Sequence, residues 1–303
     1  MSNNFRPMLA CETPEPLEKL VVLGHFPMYA SYKLDGIRAV VKDGVVLSRT
    51  LKPIPSKFVQ DTFRGLEGFD GELGTGNPCS STFYRDTFSA VMTHGCQTPV
   101  KFYVFDRFWG YNGPYSARLR SLDDLATELE PKRVEVLYQD LVDSVDGVLN
   151  LEGLALNLGY EGLILRRQDA PYKFGRSTLN QGYLVKIKRT LDAEAEIVGF
   201  EELMHNSNEA KVDARGLTTR TSHQANLVGM DTLGALIVRN LKDGVEFKIG
   251  VFKDFDKSEL QRIWNSRNHG QLGRIVKYRY LPYGIKDKPR HPRMVGFRDP
   301  SDM

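Results

Sequence analysis

The feature that most constrains this fold is a polar stretch between two apolar runs, Lys33-Leu34-Asp35-Gly36-Ile37-Arg38. Residues 28–32 precede it, and residues 39–41 follow it before a turn at residues 42–44. Apolar runs bounded by Gly and Asp in this way predict two strands. The polar side chains would then lie where one strand ends and the next begins. Gly36 would let the backbone turn tightly and approach a ligand closely.

This stretch combines groups that suit nucleotide chemistry. The Lys33 amine could attack a phosphorus atom, and the Arg38 guanidinium could neutralise the charge of a bound nucleotide. The same six residues also fit an ordinary hairpin with a solvated lysine. The rest of the chain decides between these interpretations.

Composition indicates a soluble globular protein long enough for two domains. The chain has 303 residues, 41% hydrophobic and 26% charged, without an apolar run that could span a membrane or act as a signal peptide. Cys11, Cys79 and Cys96 are too widely spaced for a disulfide framework or a C-x-x-C metal site, and the histidines show no zinc-ligand spacing. These features predict a cytoplasmic protein.

Basic residues concentrate in two segments, although the net charge is only +3. Residues 162–190 contain seven Lys or Arg against one acid, and residues 262–298 contain ten against one. Aromatic residues such as Tyr172 and Tyr278 are interleaved with them. Such segments favour contact with a polyanion, most simply nucleic acid, while two solvated faces remain the alternative.

The pattern of apolar residues changes near residue 190. Before it, strands are predicted at 45–48, 69–73, 101–108, 161–165 and 183–187, and helices at 17–23, 56–64, 121–129 and 141–158. After it, strands are predicted at 195–200, 235–239, 245–249, 273–280 and 294–297, with a helix at 256–267. The first part indicates an α+β domain and the second a small barrel such as the oligonucleotide-binding (OB) fold. A polar insertion at about 205–230 predicts a functional loop or disorder.

Further motifs follow Lys33 in a recognisable order. They are Ser48-Arg49-Thr50-Leu51-Lys52-Pro53, Phe69-Asp70-Gly71-Glu72-Leu73, Phe102-Tyr103-Val104-Phe105-Asp106, Glu161-Gly162-Leu163-Ile164-Leu165-Arg166 and Leu184-Val185-Lys186-Ile187-Lys188. The series resembles the nucleotidyl transferase motifs of ATP-dependent DNA ligases. The segment at residues 173–179 is similar to one in small virus- and phage-encoded ligases. The superfamily of these ligases also has a motif that closes its C-terminal domain. Three stretches near the end of this sequence resemble it, Arg290-His291-Pro292-Arg293, Gly296-Phe297-Arg298 and Asp302. One departure is that Arg298 is followed by Asp299-Pro300-Ser301, where some members carry an acidic pair and a lysine.

The resemblance implies a nucleotidyltransferase (ATP-grasp-like adenylation) domain at residues 1–189 and an OB-fold β-barrel domain at residues 190–303. It also implies a reaction in three steps with ATP and Mg²⁺ or Mn²⁺. Lys33 takes AMP from ATP, the AMP passes to the 5′-phosphate at a nick in duplex DNA, and the 3′-hydroxyl displaces it. A virus- or phage-type monomer in the host cytoplasm is expected.

On the nucleotide side, the resemblance makes Lys33 the nucleophile, and Arg38, Lys186 and Lys188 the ligands of phosphate oxygens. Neighbouring cations, including the metal, would favour the unprotonated amine of Lys33. Glu72 would contact the ribose and, with Glu161, hold the metal. Phe105 would stack on adenine. Asp35 would orient the strand, contact the nick or influence Lys33, and the sequence does not choose between these roles.

On the DNA side, the resemblance implies phosphate contacts by Arg49, Lys52, Arg176 and Thr178. The insertion matches in position a latch that small viral ligases wrap around DNA, and its predicted phosphate ligands are Lys211, Arg215 and Arg220. The predicted residues of the closing motif, which would orient the triphosphate in the first step after domain closure, are Arg290, Arg293, Arg298 and Asp302.

Two other functions fit parts of the pattern. A GTP-dependent mRNA-capping guanylyltransferase shares the lysine motif and the two-domain plan, but residues 172–179 and the insertion favour the ligase. A catalytically inert nucleic-acid-binding protein would not need Lys33, Glu72 and Glu161 to be present together. An NAD⁺-dependent ligase is disfavoured because no cysteine-rich zinc module is present in the sequence.

Overall fold

The computed structural model describes residues 5–108, 113–129, 133–214, 216–250, 252–281 and 288–298. The predicted site residues Arg215 and Asp302 lie outside these ranges. The chain divides into two compact units, Met1–Lys188 with Ala214–Gly216 and Arg189–Asp213 with Leu217–Met303. None of the described helices has the length and apolar character needed to cross a membrane.

The first unit combines nine strands with six helices among its described residues. In chain order the strands are β1 (Met28–Tyr32), β2 (Ile37–Lys42), β3 (Val45–Ser48), β4 (Phe69–Gly74), β5 (Lys101–Arg107), β6 (Val134–Val136), β7 (Asp140–Val142), β8 (Leu163–Arg167) and β9 (Leu184–Ile187). The helices are α1 (Lys19–Val22), α2 (Lys57–Phe63), α3 (Phe83–Met92), α4 (Tyr115–Asp123), α5 (Ala126–Leu129) and α6 (Val145–Leu158).

These strands form two sheets, in the orders β7-β1-β8-β9 and β3-β2-β4-β5-β6. All neighbours are antiparallel except β5 and β6. Each sheet has its own apolar core. Phe63 of α2 belongs to the core of the five-stranded sheet, and Ala155 of α6 belongs to the core of the four-stranded sheet. Since β1 and β2 belong to different sheets, residues 33–36 cross from one sheet to the other. The polar stretch therefore lies at the junction of the two sheets.

The second unit is built on one five-stranded antiparallel sheet. Its elements are β10 (Leu191–Asn206), β11 (Ala210–Val212), β12 (Thr218–Arg220), β13 (Leu227–Asn240), β14 (Glu246–Ile249), α7 (Lys257–Asn265), β15 (Ile275–Leu281) and β16 (Arg290–Phe297). The sheet order is β14-β13-β10-β15-β16. Helix α7 begins with a capping box between Asp256 and Glu259, and its Trp264 packs into the core of the sheet.

The polar insertion continues the β10–β13 pairing and ends in the short antiparallel pair β11–β12. Asn208, which is 5% exposed, donates to the carbonyl oxygens of Thr221 and His223 at 3.0 and 2.9 Å and accepts from Asn226 at 3.0 Å. A buried amide satisfied in this way fixes the hairpin. The described part of the insertion is an ordered hairpin, and its role as a latch stays a prediction.

Two predicted helix boundaries are wrong. The helix expected at 141–158 begins at Val145, because Leu141 and Val142 pair with β1 and the Ser144 hydroxyl caps the helix by accepting from Gly147 N at 3.2 Å. The helix expected at 121–129 is two helices, α4 and α5, and α4 begins directly after Pro114. Helix α3 corresponds to none of the predicted helices.

Gly36 approaches β4 rather than open space. A Cβ added at Gly36 would lie 2.3 Å from the carbonyl oxygen of Leu73 and 2.8 Å from Cγ of Glu72. The sequence predicted a tight turn and the close approach of a ligand at Gly36. The structure shows in addition a close approach of the chain to itself.

Replacing Gly36 with alanine tests this contact. We expect Gly36→Ala to lower the free energy of unfolding by about 1–3 kcal/mol, because β2 and β4 must separate to admit the methyl group. Chemical denaturation measures the change. The control Gly95→Ala adds a methyl group at an exposed position with no atom within 4 Å, and should change stability by less than about 0.5 kcal/mol. Equal effects of the two substitutions would contradict the assignment.

Candidate active site

Three predicted site residues meet at the ends of three neighbouring strands. Lys33 follows β1, Glu161 precedes β8 and Lys188 follows β9, and β8 lies between the other two strands. Because both pairings are antiparallel, the start of β8 adjoins the ends of β1 and β9. The Lys33 amide donates to the carbonyl oxygen of Gly162 at 2.9 Å. The ammonium groups of Lys33 and Lys188 both form ion pairs with the Glu161 carboxylate, whose side chain is 2% exposed. Asp35 is half-buried in the same crossover.

Lys186 lies two residues before Lys188, so both side chains leave the same face of the chain. Its ammonium donates to Glu12 Oε1 at 2.9 Å. The N-terminal segment is held beside β9 because Cys11 N donates to Leu184 O at 3.0 Å and Lys186 N donates to Cys11 O at 3.2 Å. No pattern in the sequence predicted Glu12 as a partner of a site lysine.

Arg38 makes a bidentate ion pair with a buried acid of the neighbouring strand. Its Nε and Nη2 donate to the two carboxylate oxygens of Asp70 at 2.5 and 2.6 Å. The Tyr172 hydroxyl donates to Asp70 at 2.6 Å, and burial raises the pKa of Tyr172 well above its ordinary range. Paired planar contacts of this kind fix the guanidinium in position and orientation. Arg38 is therefore a cation whose position is fixed before any ligand binds.

Phe105 is the extra residue of a β-bulge. The register between β4 and β5 shifts next to Asp70, so Phe105 has no residue directly opposite it in β4. Its ring centroid lies 4.6 Å from Cζ of Arg38 and 4.9 Å from Cζ of Arg166. Distances of this size are typical of cation–π contacts. The bulge and the two arginines together fix where this ring points.

The residue after Phe105 is a fully buried acid that holds two buried arginines. Arg118 Nε donates to Asp106 Oδ1 at 2.7 Å, and Arg166 Nη1 donates to Oδ2 at 2.5 Å. Arg118 also donates to the carbonyl oxygen of Ala170 at 2.9 Å. Buried charges persist only when they are paired in this way. This network anchors the backbone that carries the Phe105 ring.

Five of these supporting residues received no individual role from the sequence, namely Glu12, Asp70, Asp106, Arg118 and Arg166. Tyr172 was counted with the aromatic residues of a segment expected to contact a polyanion, whereas its hydroxyl donates to the buried Asp70. The sequence does indicate that Asp70 and Asp106 have partners, because a carboxylate inside an apolar strand predicts a buried cation next to it. The identity of that partner depends on contacts between residues far apart in the chain. No local pattern marks Arg118 as buried.

Glu72 lies opposite Arg38 in the β2–β4 pairing and is half-buried. Burial raises the pKa of Glu72 to about 7, and the charges of Lys33 and Arg38 offset the shift only in part. No cluster of three His, Cys, Asp or Glu suited to a metal is present among the described residues. Mg²⁺ commonly uses one or two carboxylates together with substrate phosphates. Glu72 and Glu161, which both adjoin Lys33, fit that requirement.

The predicted DNA-side residues are exposed. Arg49 and Lys52 lie on the turn after β3, and Arg176 and Thr178 lie on the segment between β8 and β9. Arg176 Nη1 donates to the carbonyl oxygen of Ala10 at 2.5 Å.

In the second unit, the predicted residues lie in two places. Lys211 and Arg220 are exposed in the β11–β12 pair, and Arg220 donates to the carbonyl oxygen of Asn208. Arg290 and Arg293 lie in β16. Arg298 follows β16 and forms an ion pair with Glu194.

Comparison with known proteins identifies both units. A family model described as "ATP dependent DNA ligase domain" matches residues 7–188, and one described as "DNA ligase OB-like domain" matches residues 228–298. A DNA ligase of African swine fever virus (strain Badajoz 1971 Vero-adapted) is 32% identical over 106 residues, which are 34% of this chain and 25% of the viral protein. The match therefore spans a quarter of the length of that relative.

Solved structures extend the similarity over nearly the whole chain. Chlorella virus DNA ligase-adenylate is 30% identical with a TM-score of 0.54, over 97% of this chain and 99% of that chain. A structure from work on Lig E DNA ligases is 22% identical with a TM-score of 0.68, over 90% of this chain and 93% of that chain, and shows the fold alone. These matches confirm the predicted nucleotidyltransferase domain followed by an OB-fold domain. Because the first family model covers more than half of the sequence, this chain belongs to the ATP-dependent DNA ligase family.

Proposed function

We propose that this protein is an ATP-dependent DNA ligase that seals nicks between a 5′-phosphate and a 3′-hydroxyl in duplex DNA. The observation that carries the proposal is the meeting of Lys33, Glu161 and Lys188 at three neighbouring strand ends. The buried carboxylate of Glu161 holds Lys33 in place and also binds the second cation, Lys188. This arrangement suits a nucleophile that must lie beside bound phosphates.

In the first step, the unprotonated Lys33 amine attacks the α-phosphate of ATP. A phosphorus–nitrogen bond forms as the bond to pyrophosphate breaks. Lys188, Lys186 and Arg38 stabilise the negative charge on the phosphate oxygens, and Phe105 stacks on adenine. Each lysine must exchange its present carboxylate partner for phosphate when ATP binds.

In the later steps, the AMP group moves to the 5′-phosphate of the nick, and the 3′-hydroxyl then displaces AMP to form the phosphodiester bond. The exposed cations suited to hold the nick phosphate and flanking backbone are Arg49, Lys52 and Arg176, with Thr178 as an uncharged donor. Lys211, Arg215 and Arg220 of the insertion would contact phosphates as a latch. Such contacts make binding nearly independent of sequence and strongly dependent on salt.

Glu72 and Glu161 would hold the divalent cation, Mg²⁺ or Mn²⁺. When bound, this cation would neutralise part of the negative charge of the phosphates. Both Glu161 oxygens are engaged by lysines in this structure, so a metal bound there would compete with these lysines for the carboxylate. Glu72 must lose its proton to bind a cation, and its raised pKa places that change near neutrality.

We assign the adenylation domain to residues 1–189 and the OB domain to residues 190–303. The residues of the closing motif that would act on the triphosphate in the first step are Arg290, Arg293, Arg298 and Asp302. The protein would act as a cytoplasmic monomer on nicked DNA.

Covalent labelling tests the function directly. The purified protein is incubated with Mg²⁺ and either ATP or GTP radiolabelled at the α-phosphate, and is then separated on a denaturing gel. Label from ATP alone that transfers to added nicked DNA supports the ligase. Label from GTP would instead indicate a capping enzyme. Absence of label from either nucleotide, after removal of bound AMP with pyrophosphate, would indicate a nucleic-acid-binding protein.

Lys33→Ala is expected to abolish formation of the enzyme–AMP adduct, because no other side chain replaces the attacking amine. The same gel measures the loss. Lys57→Ala, which removes an exposed lysine of α2, is the matched control and should label like the wild type. Label retained by Lys33→Ala would refute the assignment of the nucleophile.

Arg176→Ala is expected to self-adenylate normally but to seal nicks at least about tenfold more slowly, because a charge-assisted contact to phosphate is lost. Single-turnover assays of the separate steps provide the measurement. Arg85→Ala, which removes another exposed arginine of the first unit, should leave both steps unchanged. An equal loss in both steps would contradict a role on the DNA side.

Glu72→Gln tests the raised pKa of the carboxyl group. Between its ordinary value of 4.5 and about 7, folded Glu72 retains a proton that the unfolded chain releases. The wild type should therefore lose stability relative to Glu72→Gln as the pH rises through this range, by up to about 3 kcal/mol. Denaturant titrations at about pH 4.5 and about pH 8 measure the difference. The exposed control Glu18→Gln should show no such trend, and a flat difference for Glu72→Gln would exclude the shift.

A further inference from the structure

Three acidic residues occupy alternate positions of β10, Asp192, Glu194 and Glu196. Alternate residues of a strand lie on the same face, so the three carboxylates form one row. Each is paired with a cation from another part of the second unit. Asp192 is paired with both Arg279 and Lys277. Glu194 is paired with Arg298, and Glu196 with Arg239.

The pair between Glu194 and Arg298 differs from the other two because Arg298 belongs to the predicted closing motif. The backbone of Arg298 is fixed, since its amide donates to the carbonyl oxygen of Ile275 at 2.9 Å. The side chains of Arg298 and Glu194 are 39% and 31% exposed. Together with Asp192, Lys242 and Lys277, they are among the residues that line a cavity of about 390 Å³. A phosphate group can therefore reach the guanidinium while the backbone stays in place.

We infer that Glu194 is a positioning residue that retains Arg298 within the OB domain and competes with the triphosphate of ATP for its guanidinium. This inference rests on the proposed function, in which Arg298 acts in the first step only. A guanidinium binds a carboxylate or a phosphate through the same planar donors, so the two partners exclude each other at the Nε donor. Glu194 thus holds Arg298 whenever no nucleotide engages it.

The strength of the ion pair between Glu194 and Arg298 determines how much Glu194 slows self-adenylation. Partly exposed ion pairs contribute little, because water and salt screen them. Releasing Arg298 from Glu194 should therefore speed self-adenylation at low ATP concentration by about two- to fivefold. It should not change sealing that starts from the adenylated enzyme, since Arg298 has no role in those steps.

The test compares Glu194→Gln with Glu196→Gln. The two substitutions remove the same charge from the same face of β10, but Glu196 is paired with Arg239, which belongs to none of the motifs. Glu194→Gln should raise the apparent second-order rate of self-adenylation, lower the KM for ATP and leave single-turnover sealing unchanged. Glu196→Gln should match the wild type in both assays, and the gain should shrink as salt is added.

A double-mutant cycle with Arg298→Ala assigns the effect to this pair. In the Arg298→Ala background, Glu194→Gln should have no further effect. A first step at or below the wild-type rate in Glu194→Gln, or an equal gain in Glu196→Gln, would overturn the inference. Absence of self-adenylation in the wild type would instead overturn the proposed function, so the two failures are distinguishable.

Discussion

The candidate site depends on one buried carboxylate. Glu161 binds the ammonium groups of Lys33 and Lys188, which arrive on strands either side of its own. An unpaired carboxylate at 2% exposure would be costly, so the three strand ends are held together by the same ion pairs that place the lysines. Fold stability and the position of the proposed nucleophile therefore rest on the same interactions.

Two further buried acids extend this arrangement to the second sheet of the unit. Asp70 fixes Arg38, and Asp106 fixes Arg118 and Arg166. The Phe105 ring lies near two of these arginines, at a bulge that frees its side chain from the regular pleat. Rigid placement of cations before a ligand binds reduces the reorganisation needed during reaction. In the OB domain, the pair of Glu194 and Arg298 is more exposed, which suits a contact that must open.

The sequence predicted the parts of this site that lie within local motifs at strand ends. Lys33, Glu161 and Lys188 could be found because the apolar runs around them marked the strands, and the order of motifs indicated the family. The partners of Asp70 and Asp106 could not be found, because they come from segments distant in the chain. The start of α6 was misplaced since Leu141 and Val142 fit a helical pattern as well as an edge strand, and only pairing with β1 decides between them.

The proposed reaction makes the Lys33 amine the covalent carrier of AMP. Peptide mapping by mass spectrometry, after incubation of the protein with ATP and Mg²⁺, tests this assignment of the AMP carrier. We expect a single AMP adduct, on the peptide that contains Lys33, which disappears when pyrophosphate is added. An adduct on Lys186 or Lys188, or one on Lys33 that neither reverses with pyrophosphate nor transfers to nicked DNA, would contradict it.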